Sequence, residues 1–194
     1  MAVKTTLTDA DFQQAADLLG VEVATVKAVA DVEAAGKGFL NDGRLVLRFE
    51  GHWFRKLTNR IYDVGYPTIS HPYFADGRYN KGPAKDYKRL AVAMKLSPDA
   101  ALQSTSWGMF QIMGFNAWRC GFQDVHAFVD AMKLGVHEHL LAFCRFCISK
   151  GLADELRAKD WAGFAAKYNG ENYRDNHYDL KLAAAYRHYK EQEG

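Results

Sequence analysis

The sequence predicts a mainly α-helical domain with one short β region. Three observations carry this reading. Apolar residues recur at helical spacing over most of the chain, strict alternation is confined to residues 44–50, and 48% of the residues are apolar. At 194 residues, 13% of them aromatic, the chain suits one domain with a sizeable core.

The first helix is expected from Thr8 to about Gly20, with Asp11 three residues on as a capping-box-like partner. A second runs from about Val23 to Ala35, where Gly36 and Gly38 stop it. The turn signal Asn41-Asp42-Gly43 then precedes Leu45, Leu47 and Phe49 alternating with Arg44, Val46, Arg48 and Glu50, which suggests a strand. Residues 63–83, rich in Gly, Pro, Asp and Tyr, read as a long surface loop with short strands. Further helices are expected at 84–96, 98–103, 106–113, 123–132, 135–149, 160–168 and 177–190. Within the segment 160–168, Trp161, Phe164, Ala165 and Tyr168 make one stripe. No repeat, low-complexity tract or Pro-rich linker divides the chain, so residues 1–194 read as one domain.

Composition excludes several classes. A net charge of +2 gives no strong field for nucleic acid, and no run approaches the roughly 18–20 apolar residues of a membrane span. The N-terminus lacks the pattern of a signal peptide, so synthesis in the cytoplasm is expected. Three cysteines cannot all pair, and Cys144 and Cys147 lie in an apolar helical segment, where they read as small buried residues. His137 and His139 flank Glu138, but that spacing puts them on different helix faces, so neither a metal nor a cofactor is expected. Residues 13–33 resemble a helix-turn-helix around Leu19-Gly20-Val21. The would-be recognition helix VATVKAVADVE has one lysine, two acids and no Arg, Asn or Gln, which argues against DNA reading.

Glu33 draws the most attention. Val26, Val29 and Ala30 make an apolar stripe whose next positions are 33 and 34, so a carboxyl falls where burial is expected. It also lies at the negative end of a helix dipole. Both effects raise its pKa, as a general acid requires, whereas a helix-end Glu without function would extend to solvent. A turn with Asp42 and a strand ending in Glu50 follow, and one proton-donating carboxyl with one ionised carboxylate is the minimal kit of a glycoside hydrolase. Either Asp42 or Glu50 fits the second role. Asp42 also suits its turn conformationally, and Glu50 also suits a salt bridge with Arg48.

The runs VEAAGKGFLNDGRLVLRFEGHWF, STSWGMFQIMGFN and FAAKYNGENY, in that order over residues 31–173, resemble the N-acetylmuramidase domain of bacteriophage endolysins. The resemblance implies a lysozyme-like fold, in which a helical domain carries a small β-hairpin lobe flanking the cleft and Glu33 sits on the helix that opens it. Ser106, Gly108 and Gln111 resemble the Ser-x-Gly-x-x-Gln motif of goose-type lysozymes and lytic transglycosylases. Tyr168-Asn169-Gly170 resembles their Tyr-Asn-Ala-Gly motif with the Ala missing. In those relatives both motifs line sugar subsites. Gln111, amid apolar neighbours, needs a hydrogen-bond partner such as a substrate N-acetyl group or the Glu33 carboxyl. Trp53, Tyr62, Tyr66, Tyr73, Phe74, Tyr79 and Tyr173 are candidates for stacking on sugar rings.

The implied activity is hydrolysis of the β-1,4 bond between N-acetylmuramic acid and N-acetylglucosamine in peptidoglycan glycan strands, for phage-induced host lysis. A monomer without a separate wall-binding module is expected, reaching the periplasm by holin-type release. A lytic transglycosylase, which leaves 1,6-anhydromuramic acid ends, is the nearer alternative, and two candidate carboxylates after Glu33 favour hydrolysis over it. A catalytically silent wall-binding component is the other.

Overall fold

In the computed structural model, residues 3–34, 37–75, 79 and 82–192 are described, with the backbone alone for 171 and 172. Gly36 and part of the 63–83 segment lie outside these residues.

Helix α1 (Asp9–Leu19) starts at the expected capping box. The Asp11 N–H donates to the Thr8 hydroxyl at 3.4 Å, and the Thr8 N–H donates to the Asp11 carboxylate at 2.7 Å. Asp11 also meets Lys4 at 2.7 Å and His137 at 2.8 Å. Burial alone would raise its pKa, but the hydrogen bonds from Lys4 and Thr8 outweigh that and hold it far below the usual carboxylate range. Gly20, at φ 68°, ends the helix in a conformation that costs an L side chain. Helix α2 (Val23–Glu33) follows, packed between α1 and the C-terminal helix α10 (Tyr178–Glu191). Six of its eleven residues are buried, so most of its surface is committed to packing, and the remaining face sets Lys27 beside the acid Asp31.

The sheet is antiparallel, in the order β1 (Leu47–Phe49), β2 (Thr105–Trp107), β3 (Ile112–Met113). Leu47 pairs with Trp107 and Phe49 with Thr105, while Ser106 pairs with Met113. This corrects the expected helix at 106–113, which is a hairpin. Gly108 at φ 71° and Gln111 at φ 48° reverse the chain there, and neither value fits a right-handed helix. All three residues of β2 are buried, which removes the alternation that marks a half-exposed strand. The expected strand 44–50 shrinks to Leu47–Phe49, Leu45 instead bridging back to Phe39, and Glu50 caps the unforeseen helix α3 (Gly51–Leu57).

Beyond the loop, where the described residues hold a 3-10 turn at Tyr73–Ala75 rather than strands, come α4 (Pro83–Leu96) and α5 (Pro98–Gln103). A 3-10 segment at Gly114–Cys120, absent from the sequence reading, precedes α6 (Val125–Leu134) and α7 (Val136–Ser149). The short α8 (Ala153–Ala158), also unforeseen, leads to α9 (Trp161–Asn169), capped by the Asp160 carboxylate accepting from the Gly163 N–H. The fold is mainly α and lysozyme-like, with its small sheet flanked by helices. Phe49, Phe54, Phe128, Phe143 and Phe164 are fully enclosed in one core that joins sheet and helices. Each such ring contributes about 1.5–3 kcal/mol. Cys120, Cys144 and Cys147 are buried free thiols, and burial pushes the first two up to about 12.

Candidate active site

Glu33 is the last residue of α2 and is half-buried. Desolvation raises its pKa, opposed by a hydrogen bond from Asn169 and the positive charge of Lys181. Asn169 Nδ2 donates to Glu33 Oε1 at 2.9 Å. That donor stands at the last position of α9, where Gly170, at φ 88°, turns the chain away. Asn169 and Gly170 thus present a hydrogen bond to the carboxyl. Tyr168 faces inward: it stacks on Phe164 at 5.5 Å and meets Phe143 edge-on at 5.6 Å. Burial pushes its hydroxyl well above the ordinary range.

Ser106 and Gln111 satisfy each other across the hairpin. The Ser106 hydroxyl donates to Gln111 Oε1 at 2.9 Å, and Gln111 Nε2 donates to the Gly108 carbonyl at 2.8 Å. The partner that Gln111 needs is therefore within its own turn. Because Gln111 holds a left-handed φ, this pair also offsets local backbone strain.

His139, which the sequence reading considered only as a zinc ligand, ties the two halves together. Its Nδ1 accepts from the Met109 N–H at 3.1 Å, and its Nε2 lies 2.7 Å from the Met132 carbonyl, which fixes the neutral Nε2–H tautomer. Burial lowers its pKa. The ring stacks on Phe39 at 5.3 Å and lies under Gly38 and Gly108. A Cβ on Gly108 would come within 2.9 Å of Nδ1, so glycine is required for this approach. The Gly108 N–H also donates to Val46 at 2.8 Å. Helix α7 thereby fixes the hairpin turn and the chain leaving Glu33 against one imidazole. Only the tertiary contact, not the His-Glu-His pattern, reveals that role.

Asp42 and Glu50 occupy different surroundings. Asp42 lies on an exposed turn, where its Oδ2 meets Arg44 Nη2 at 2.7 Å and its Oδ1 accepts from the Arg44 N–H at 3.1 Å. Those bonds lower its pKa. Glu50 is more enclosed, its side chain 15% exposed, with Arg48 Nε at 3.2 Å and His52 Nδ1 at 3.7 Å. The backbone leading into it is anchored by Arg89, also missed in the sequence, which donates to the Phe49 carbonyl at 3.1 Å and the Thr68 carbonyl at 2.9 Å.

Two grooves open in this region, and of the three candidate carboxyls only Glu50 lines one of them. One of about 640 Å³ is lined by Arg48, Glu50, His52, Trp53, Tyr73, Phe74 and Met113. Tyr73 and Phe74 are exposed there, as a ring-stacking wall requires. Another, of about 590 Å³, includes Ala30, Asp31, Lys37, Met109 and Tyr189, so it follows α2 toward the hairpin turn. Of the other sequence-selected aromatics, Tyr62 packs on Phe54 and donates to the Leu96 carbonyl at 2.8 Å, and Tyr173 is buried, so both are structural. Among the described residues no helix is long and apolar enough to cross a membrane.

A helical domain carrying a small antiparallel sheet is the lysozyme-like class of fold. The chain belongs to the N-acetylmuramidase family, whose model matches residues 22–190, and it is a peptidoglycan-degrading enzyme. It is similar to the crystal structure of the Burkholderia AP3 phage endolysin, with 44% identity and a TM-score of 0.88. The match covers 98% of this chain and 73% of that one. No curated protein matches the chain.

Proposed function

We propose that this protein is a phage endolysin that hydrolyses the β-1,4 bond between N-acetylmuramic acid and N-acetylglucosamine during host lysis, with Glu33 as general acid. The carrying observation is the Glu33 carboxyl, its pKa raised by burial while one oxygen is held by Asn169. A raised pKa keeps more of the carboxyl protonated at a given pH, and the protonated form delivers its proton to the glycosidic oxygen as the bond breaks. With Oε1 held by Asn169, Oε2 is the oxygen left to carry the proton.

An ionised carboxylate then serves the oxocarbenium-like centre or activates water. Glu50 suits this role better than Asp42. It lines the aromatic groove beside Arg48 and His52, whereas Asp42 is committed to Arg44 on the open turn. The Ser106–Gln111 pair and the Asn169–Gly170 corner supply polar edges for the sugar N-acetyl and hydroxyl groups. Synthesis in the host cytoplasm, holin-type release and action as a monomer complete this reading.

Mass spectrometry of muropeptides released from purified peptidoglycan tests it. Reducing N-acetylmuramic acid ends are expected. Reducing N-acetylglucosamine ends would assign the other bond. Ends of 1,6-anhydromuramic acid would mean transglycosylation, in which Glu33 acts without a second carboxylate.

A further inference from the structure

Beside the aromatic groove lies a second pocket of about 580 Å³, sharing its His52 and Tyr73 wall. Among the described residues its remaining lining is Arg55, Lys56, Asn59, Arg60 and Pro72, with no acid. Arg55 is neutralised by Asp63, its Nε 2.8 Å from Oδ2. Among the described residues neither Lys56 nor Arg60 has a carboxylate at ion-pair distance, and both are exposed. The Lys56 ammonium sits 4.8 Å from the Trp53 ring centroid, so it stands where the aromatic groove passes into the basic pocket.

The backbone here is unusual as well. Asn59 and Arg60 are consecutive non-glycine residues at φ 51° and φ 65°; asparagine adopts this left-handed region readily, so the cost of roughly 1–2 kcal/mol falls on Arg60. Their N–H groups are spent on the Lys56 and Arg55 carbonyls, closing the end of α3. The side chains, not the backbone, are therefore the free donors. The strained turn sets Asn59 and Arg60 on the same wall as Lys56, and strain maintained in a surface cleft points to function.

We infer that this pocket binds the carboxylates of the acidic peptides that branch from peptidoglycan glycan, so that the enzyme reads the stem peptide as well as the sugars. The inference rests on the peptidoglycan reading above. A glycan in the aromatic groove carries its peptide branches sideways off the lactyl groups. Lys56, Arg60 and an amide adjoining that groove match a chain of carboxylates better than they match neutral sugar. Trp53, Tyr73 and Phe74 take the ring faces, and Lys56 and Arg60 take the charge.

The experiment compares intact purified peptidoglycan with the same material stripped of peptides by an amidase. Wild-type protein is expected to have the higher kcat/KM on the peptide-bearing strand. The double variant Lys56→Ala, Arg60→Ala is expected to lower that preference about tenfold, mainly through KM, as loss of two solvent-exposed charge contacts implies. The wild-type preference should also weaken with added salt. An unmoved ratio, or an equal loss on both strands, would overturn the inference. If wild-type protein cleaves neither strand, the muramidase reading fails, and the pocket is judged by titrating the amidase-released peptide. Binding by wild type that weakens in the double variant supports the pocket, and no binding by wild type refutes it.

Discussion

Asn169→Ala removes the hydrogen bond that Glu33 Oε1 accepts at 2.9 Å while leaving the carboxyl itself in place. The bond favours the ionised form, and it works against the burial that raises the Glu33 pKa. A hydrogen bond to a charged group is worth about 1.5–3 kcal/mol, and both residues are half-buried, so the lower end applies. At 1.36 kcal/mol per pH unit, its loss moves the Glu33 equilibrium up by about one unit. A general acid works while protonated, so activity falls as pH rises through its pKa. The alkaline limb of the kcat profile should therefore shift to higher pH by about one unit in the variant. At its optimum kcat should fall about tenfold, because the carboxyl is no longer fixed in orientation. Turbidity clearing of purified peptidoglycan, followed from pH 4 to 9 at saturating substrate, gives both numbers. A limb that stays in place or moves to lower pH would refute the coupling of Asn169 to the catalytic proton.

Glu33→Gln should abolish clearing and yet raise the Tm by about 2 °C at pH 7. A raised folded-state pKa contributes stability below the unfolded value that is lost as pH rises through the folded one, so the Tm gain should vanish near pH 4 in calorimetry. Glu50→Gln is expected to cost about 10²-fold in kcat and Asp42→Asn less than about tenfold, with the reverse order in initial-rate assays transferring the second role to Asp42. His139→Ala strands the buried Met132 carbonyl and the partly buried Met109 N–H and should cost about 3 kcal/mol, read from the urea midpoint. Because burial lowers the His139 pKa, the unfolded chain takes up the proton first. Wild-type stability should fall as pH drops below about 6.5 toward the folded value, and His139→Gln should lack that part of the decline.

The sequence by itself determined most of the longer helices, because their signals are local, while the short α3 and α8 escaped it. Thr8 and Asp11 form the capping box they spell, α5 occupies the six residues expected of it, α7 starts one residue later than expected, and α10 is shifted by one residue at each end. Glu33 was legible for the same reason: the stripe Val26, Val29, Ala30 leads to a carboxyl at a helix end, and burial does raise its pKa. The hairpin at 105–113 was not legible. Strands of three and two residues are too short to show a period, and β2, Thr105-Ser106-Trp107, is buried throughout, so it shows no alternation of exposed and buried positions. Nor could sequence separate Asp42 from Glu50, since an acid beside an arginine looks alike in both. The fold sends one to an open turn and the other to the wall of a groove. His139 and Arg89 act on backbone tens of residues away, on Met109 and Phe49. Local pattern specifies which segments coil and which faces they bury. Partners distant in sequence are decided by the packing of those faces, and only the tertiary structure expresses that.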